Sequence, residues 1–347
     1  MFDLYSGNTP SRLNKEHFKG TVNWISSGEL KEHYIYSSKE QISEEAAKSL
    51  KLLPVGTFVI AIYGLEAEGV RGTGSITQEP STISQACMSF IPKGVIENEF
   101  LYSWYKKHGN VIGIRYAQGT KQQNLSYDIL EKFRIAYPNT KEQEKLNKFI
   151  SLLDERIATQ SKIIEKMQTL IKGIAHKVSK QGKPNIRLSE CLLCTSSTLQ
   201  ESDVAEVGAY PVYGANGIVG YLDTYNTTSE AIYIIKDGSG VGAVSCVKGK
   251  CSATGTLNIL QTKEGFSLRY LYFILKVFSF EPYKTGMAIP HIYFKDYGKA
   301  KIYCPSNQLQ CKYADLLSKI EQKATAEQKI LDNLCSQKQY LLCQMFI

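Results

Sequence analysis

Residues 119–146, GTKQQNLSYDILEKFRIAYPNTKEQEKL, recur as residues 286–313, GMAIPHIYFKDYGKAKIYCPSNQLQCKY, at a constant offset of 167 residues. The alignment runs without a gap from Gly119–Ser179 onto Gly286–Phe346, pairing Lys132 with Lys299, Ile135 with Ile302, Pro138 with Pro305, Gln143 with Gln310 and Lys145 with Lys312. Solenoid units span about 20 to 50 residues, so a period this long marks a duplicated unit of module plus helix. Two modules on a common spacer point to a ligand in two parts.

Outward from the repeat the chain divides into four segments: a β-rich module over 1–137, a helix over 138–183, a second β-rich module over 184–305 and a second helix over 306–347. Runs such as GTFVIAIYG, ACMSFIP, IRLSECL, EAIYIIKD and GAVSCVKGKC read as strands or strand starts between glycine turns. FLYSWYKKHG (100–109) reads as a helix, and YLYFILKVF takes its place in the second half, Leu101 and Tyr102 matching Leu271 and Tyr272 at an offset of 170. The fold class is α+β.

The two helices carry heptad seams. Leu146, Ile150, Leu153, Ile157, Gln160, Ile164, Met167, Ile171, Ile174 and Val178 follow alternating steps of four and three. Asn139 or Thr140 serves as N-cap, and Gly182 and Pro184 stop the pattern. From Leu146 to Val178 such a helix rises roughly 50 Å at about 1.5 Å per residue. The second copy places Tyr313, Leu317, Ile320, Ala324, Glu327, Leu331, Leu334, Lys338, Leu341 and Met345 at the equivalent positions. Each seam would aggregate if left exposed, so the two are expected to pack on each other. Laid antiparallel, they bring Gln160 and Glu327 together near the middle, where polar groups fix register.

Composition bounds the rest. At 347 residues, 43% hydrophobic and 21% charged, the chain is long enough for two sizeable cores. The opening MFDLYSGNTPSRL lacks a basic region followed by an apolar one, and no run reaches a membrane span, so the reading is cytoplasmic, without a membrane partner. Nine cysteines are an odd number for a disulfide framework. Cys191, Cys194, Cys246 and Cys251 could be drawn as a four-thiolate zinc site, but CVKGKC lies in strand-like sequence that suits a hairpin better, and free thiols are the preferred reading. The glycines of DGSGVGAV (237–244) are followed by strand-like rather than helical sequence, so they read as a strand connection and not as a phosphate loop. The five histidines show no metal spacing, and no residue set nominates a catalytic centre.

A net charge of +8 favours an anionic partner, although residues 141–183 alone hold ten basic against five acidic residues, as a solvated helix face would. The modules offer more. The loop at 116–126 presents Lys121, Gln122, Gln123 and Asn124, and its repeat partner at 283–293 presents Lys284, Met287 and His291. Amides bond adenine N6 and N7, lysines reach guanine or phosphate, and methionine touches the thymine methyl. Different side chains on a retained frame suit one scaffold reading two sequences; freely diverging loop tips are the competing reading.

Over essentially its whole length the chain resembles the specificity subunit of type I restriction-modification systems. The resemblance is carried by SGNTPSRLNKEHFKGTVNWISSGEL, ISQACMSFIP, YPVYGANGIVGYLDTY, KCSATGT, the terminal KQYLLCQMF and the duplicated P-x-x-x-x-Q helix entries. It implies two target-recognition domains, each reading half of a split duplex DNA sequence, held apart by two antiparallel coiled-coil helices in a pseudo-twofold arrangement. It implies as partners two copies of an adenine methyltransferase subunit docked on the helices, together with a restriction subunit. S-adenosylmethionine and ATP with magnesium belong to those partners; this chain binds no cofactor. Carried over by position, the DNA-contact candidates are Lys121–Asn124, Lys284, Met287 and His291, joined by Tyr63, Arg71, Lys236, Lys248 and Lys250. The coil and partner candidates are the seam residues Leu146 to Ile171 with Leu317, Ile320, Glu327, Leu331, Leu334 and Leu341. One departure stands out: IRLSEC, the strand that opens such a domain, precedes the second module, whereas the first begins at MFDLYSGNTPS. A coiled-coil scaffold with two protein-binding modules is the alternative function, and an isolated zinc or thiol enzyme a third.

Overall fold

Val59, Ile60 and their neighbours in Phe58–Ala61 form a strand buried on both faces, as does Ala231–Ile235 in the second half. Continuous apolar runs of this kind belong at the centre of a covered sheet. The computed structural model describes residues 2–67, 69–119, 121–286 and 289–346, and it divides into two units, Met1–Thr159 with Leu331–Ile347, and Gln160–Ile330. In the first unit the sheet order is Phe2–Ser6, Cys87–Pro92, Phe58–Ala61, Gly74–Thr77 and Tyr34–Ile35. In the second it is Leu192–Ser196, Leu257–Thr262, Ala231–Ile235 and Val244–Val247. The registers match: Phe58 faces Phe90 and Ile60 faces Met88, while Ile232 faces Leu260 and Ile234 faces Asn258. Each unit adds a smaller sheet whose middle strand, Val22–Ile25 or Tyr210–Gly214, pairs antiparallel on one side and parallel on the other.

Two local readings are corrected. In IRLSEC only Ile186–Arg187 is a strand, paired with Lys301–Ile302, and Leu188–Cys191 forms one helical turn. Glu190 accepts the Arg187 N–H at 2.6 Å, which favours the turn, and Leu188 and Cys191 are wholly buried. The strand that enters the sheet is Leu192–Ser196, and its counterpart Phe2–Ser6 is present in the first unit. CVKGKC is not a hairpin either: Val244–Val247 and Ser252–Ala253 lie in different sheets. Gly249 (φ +82°) turns the chain away, and Cys251 exchanges both backbone hydrogen bonds with Thr227.

The duplicated glutamine explains the helix entries. Gln143 is fully buried; its Oε1 accepts the Glu97 N–H at 2.9 Å and its Nε2 donates to the carbonyls of Pro138 (2.9 Å) and Val95 (3.1 Å). Gln310, equally buried, accepts the Ser267 N–H at 3.0 Å and donates to Pro305 O at 2.9 Å. Glu97 and Ser267 are the N-caps of the module helices Asn98–Tyr116 and Leu268–Leu275. One amide therefore joins the start of a module helix to the start of a long helix. Asn139 caps the first long helix through a bond to the Glu142 N–H.

The long helices, Thr140–Ser179 and Asn307–Met345, pack on each other within each unit. In the first unit Ile150 shares a core with Leu342 and Phe346, Leu146, Leu153 and Met345 lie against it, and Lys338 pairs with Asp154. In the second, Ile171, Ala175 and Val178 share a core with Ala314 and Leu317, flanked by Ile320. Ile164 is buried, Ile157 and Met167 half-buried, and Leu331, Leu334 and Leu341 are covered to similar degrees. Gln160 Nε2 donates to Glu327 Oε2 at 2.6 Å and to its backbone carbonyl at 3.0 Å. That pairing and the bond from Tyr313 to Gln181 run in opposite senses along the two helices, so the packing is antiparallel. Among the described residues no helix is long and apolar enough to cross a membrane.

Replacing Gln310 by Leu leaves the Ser267 N–H without its acceptor, at a cost of about 1–3 kcal/mol for a buried unpaired group. We expect urea denaturation to show the loss in the unit holding residues 160–330, and Gln143→Leu to show it in the other; an unchanged midpoint in both would refute the clamp.

Candidate nucleic-acid interface

In each unit a loop closes onto the end of the central strand through backbone hydrogen bonds. Gln118 and Asn124 exchange N–H···O bonds of 2.8 and 2.9 Å, the Leu125 N–H donates to Ile62 O, and the Leu65 N–H to Gln123 O. In the second unit Thr285 and His291 exchange bonds of 2.9 and 2.7 Å, the Ile292 N–H donates to Lys236 O, and the Gly238 N–H to Pro290 O. Tyr63 bridges to Asn124, and Asp237 to His291, in the same way. The frame is common, and the side chains on it differ.

In the first unit Arg71 Nη2 donates to Gln123 Oε1 at 3.1 Å. The Gln123 N–H donates to Glu66 Oε2 at 2.7 Å, and this bond, with Arg71 nearby, holds the Glu66 carboxyl below its usual range. Lys121 and Gln122 are exposed, and Tyr63 is 38% exposed. Asn124 turns inward: its Oδ1 is buried with no partner among the described residues. Arg71 reaches Gln123 by crossing the helix Asn98–Tyr116 at its glycines. A Cβ on Gly113 would lie 2.5 Å from Arg71 Cγ, and one on Gly72, itself at φ +71°, would lie 2.7 Å from the Asn110 nitrogen. The Gly109-x-x-x-Gly113 spacing makes the trough in which the loop lies.

In the second unit the imidazole of His291 and the carboxylate of Asp237 are joined, Nδ1 to Oδ1, at 2.7 Å. Lys284 pairs with Glu281. Lys236 enters through its backbone, between Ile292 and Thr256. Met287 lies outside the described residues. Lys248 and Lys250 are engaged elsewhere: Lys248 is 3.9 Å from Glu230, and Lys250 Nζ sits over the Tyr225 and Tyr210 rings at 4.9 and 5.9 Å. The sequence reading thus collects Tyr63, Arg71, Gln123 and Asn124 at one site and Lys236 and His291 at the other.

Three contributors escaped that reading: Asp237, Glu66 and Gly113. Asp237 opens the stretch DGSGVGAV, where the glycines are the more conspicuous residues, and Gly113 carries a signal in its four-residue spacing from Gly109. The thiols drawn as a zinc set find separate partners. Cys191 bonds Leu188 O, Cys246 faces Glu230, and Cys251 meets the Tyr233 hydroxyl. Burial pushes Cys191 and Cys246 up to about 12. Among the described residues no cluster of three or more His, Cys, Asp or Glu could hold a metal ion.

The family described as the type I restriction modification DNA specificity domain matches residues 1–169 and 191–335. The chain is 30% identical over 174 residues to the specificity subunit of the type I restriction enzyme MjaIX of Methanocaldococcus jannaschii, covering 48% of this chain and 39% of that protein. It is 30% identical over 155 residues to the EcoR124I/EcoR124II specificity subunit of Escherichia coli, covering 43% and 38%. These matches therefore span about two fifths of either relative. With the EcoprrI specificity subunit of Escherichia coli the identity is 21% over 358 residues, covering 92% and 86%. The crystal structure of the type I restriction-modification S subunit from M. genitalium shares the fold, with a TM-score of 0.65 at 20% identity over 100% of this chain and 94% of that one.

Gly113→Ala forces the Arg71 stem aside, and overpacking of this kind costs about 1–3 kcal/mol. Adding Arg71→Ala should return most of that loss, with a coupling above about 0.5 kcal/mol in a double-mutant denaturation cycle. Additive losses would refute the contact.

Proposed function

The chain belongs to the family of type I restriction-modification DNA specificity subunits, which are not themselves enzymes, and from that premise we propose that it reads a split duplex DNA sequence, one half with each unit. Residues 1–137 and 184–305 act as target-recognition domains, and the helical segments 138–183 and 306–347 set the spacer between the halves. The observation that carries the reading is the common loop frame with exchanged side chains. Arg71, Lys121, Gln122 and Gln123 stand on it in one unit, and Lys284, His291 and Asp237 in the other. Base identity is read by such groups at groove edges, while lysine and arginine on phosphates add affinity that salt weakens.

The helices supply the docking surface for two copies of one partner, an adenine methyltransferase subunit, which a restriction subunit joins. Exposed apolar side chains recur at the repeat offset. Phe149 (42% exposed) matches Leu316 (48%), and Ile163 (36%) matches Ile330 (42%). Seam residues are covered, so these outward positions are left for a partner, and the same patch twice on one chain suits two identical subunits. S-adenosylmethionine and ATP with magnesium are assigned to the partner subunits, and the complex works in the cytoplasm.

Enrichment from a random duplex library, with the chain in complex with its methyltransferase, should yield a gapped motif with two unlike halves and a fixed spacer. An intact complex that enriches nothing would transfer the assignment to a protein-binding scaffold. The Phe149→Asp, Leu316→Asp double variant should fold and lose both methyltransferase copies, each single variant losing one, as read by light scattering after size exclusion. Retention of two copies by the double variant would exclude this surface.

A further inference from the structure

His291 and Asp237 form a hydrogen-bonded pair where the loop of the second unit closes. Asp237 lies at the end of the strand Ala231–Ile235, in the slot that Tyr63 occupies in the first unit; His291 lies in the loop, in the slot of Asn124. Both are held by backbone bonds: His291 to Thr285, and the neighbouring Gly238 and Ile292 across to Pro290 and Lys236. The imidazole also lies alongside the Tyr293 ring, with centroids 6.5 Å apart and planes tilted by 24°. Both side chains are about one third exposed, so the pair stands at the surface of the loop.

A carboxylate is a pure acceptor. At 2.7 Å from Asp237 Oδ1, Nδ1 must therefore carry the ring proton. A neutral imidazole has one N–H, so Nε2 is left as a bare acceptor. Nε2 has no hydrogen-bond partner among the described residues. In the first unit the polarity is reversed. Gln123 Oε1 is occupied by Arg71, which leaves the Gln123 amide hydrogens and the remaining guanidinium hydrogens as donors.

We propose that His291 is a specificity-determining residue of the second unit, reading through Nε2 a base that offers an amino group in the major groove, adenine or cytosine, and that Asp237 is its positioning residue. The inference rests on the DNA-reading function proposed above. Adenine presents N6–H2 and cytosine N4–H2 as donors, whereas guanine and thymine present acceptors that a bare nitrogen repels. Asp237 acts through the ring: by accepting the Nδ1 proton it selects the tautomer of the neutral imidazole whose other nitrogen, Nε2, is the acceptor.

The test is library enrichment with the intact methyltransferase complex carrying wild-type chain, Asp237→Asn or His291→Ala. Asparagine can donate to Nδ1 and so move the ring proton to Nε2, turning the acceptor into a donor. The wild type should require adenine or cytosine at one position of one half-site. His291→Ala should flatten that position by roughly 3- to 10-fold, the worth of one hydrogen bond. Asp237→Asn should shift it toward guanine or thymine by a similar factor. In both variants the other half-site should stay as in wild type, which also shows that the chain is folded. A motif unchanged in both variants, or a changed position that was guanine or thymine in wild type, overturns the inference while leaving the DNA reading intact. A wild-type complex that enriches no motif overturns the DNA reading, and this inference with it.

Discussion

Two buried amides hold the architecture together. Gln143 and Gln310 each accept a backbone N–H from the N-cap of a module helix and donate to the carbonyl of the proline that precedes a long helix. A side chain that gives and receives at one buried point fixes both partners, because moving either strands a polar group away from water. The helix seams continue that constraint. Gln160 and Glu327 place a polar pair among apolar layers, so sliding one helix along the other would bury unpaired amide and carboxylate groups.

Upon this fixed frame the two units diverge where solvent reaches them. The central strands, their registers and the loop-closing bonds agree closely between the copies. The polar pairs at the loops do not. A cation meets an amide in one, Arg71 with Gln123, and an imidazole meets a carboxylate in the other, His291 with Asp237. The units also anchor their module helices differently. Glu321 collects Arg269, Tyr272 and Lys276 in the second unit, whereas the matching Asp154 of the first turns to Lys338. A duplicated sequence thus conserves what is buried in both copies and spends its freedom on charge placement.

Much of the fold was legible because its signals are local and periodic. The seam from Leu146 to Val178 shows in the heptad spacing, the strands at Phe58–Ala61 and Ala231–Ile235 in their apolar runs, and the helix entries in the repeated Pro and Gln. What escaped depends on capping, burial and pairing that residue patterning does not record. Leu188–Cys191 turns helical because Glu190 caps it and both ends are buried, which no alternation pattern records. CVKGKC parts into two sheets because Thr227 claims Cys251. At the candidate interface the sequence names the loop residues and Arg71 but not the pairings among them: Asp237 lies 54 residues from His291, and Arg71 lies 52 from Gln123. Lys248 and Lys250 have neighbours that sequence position does not reveal, Glu230 for the one and the Tyr225 ring for the other.

The two loops are closed by main-chain hydrogen bonds, Gln118 with Asn124 and Thr285 with His291, and these are indifferent to which side chains the loop carries. Substitution at an exposed position such as Lys121 or Gln122 therefore draws almost nothing from the free energy of folding. Variation there is nearly neutral for the persistence of the chain, so the surface each loop presents can drift at constant thermal stability, one unit at a time.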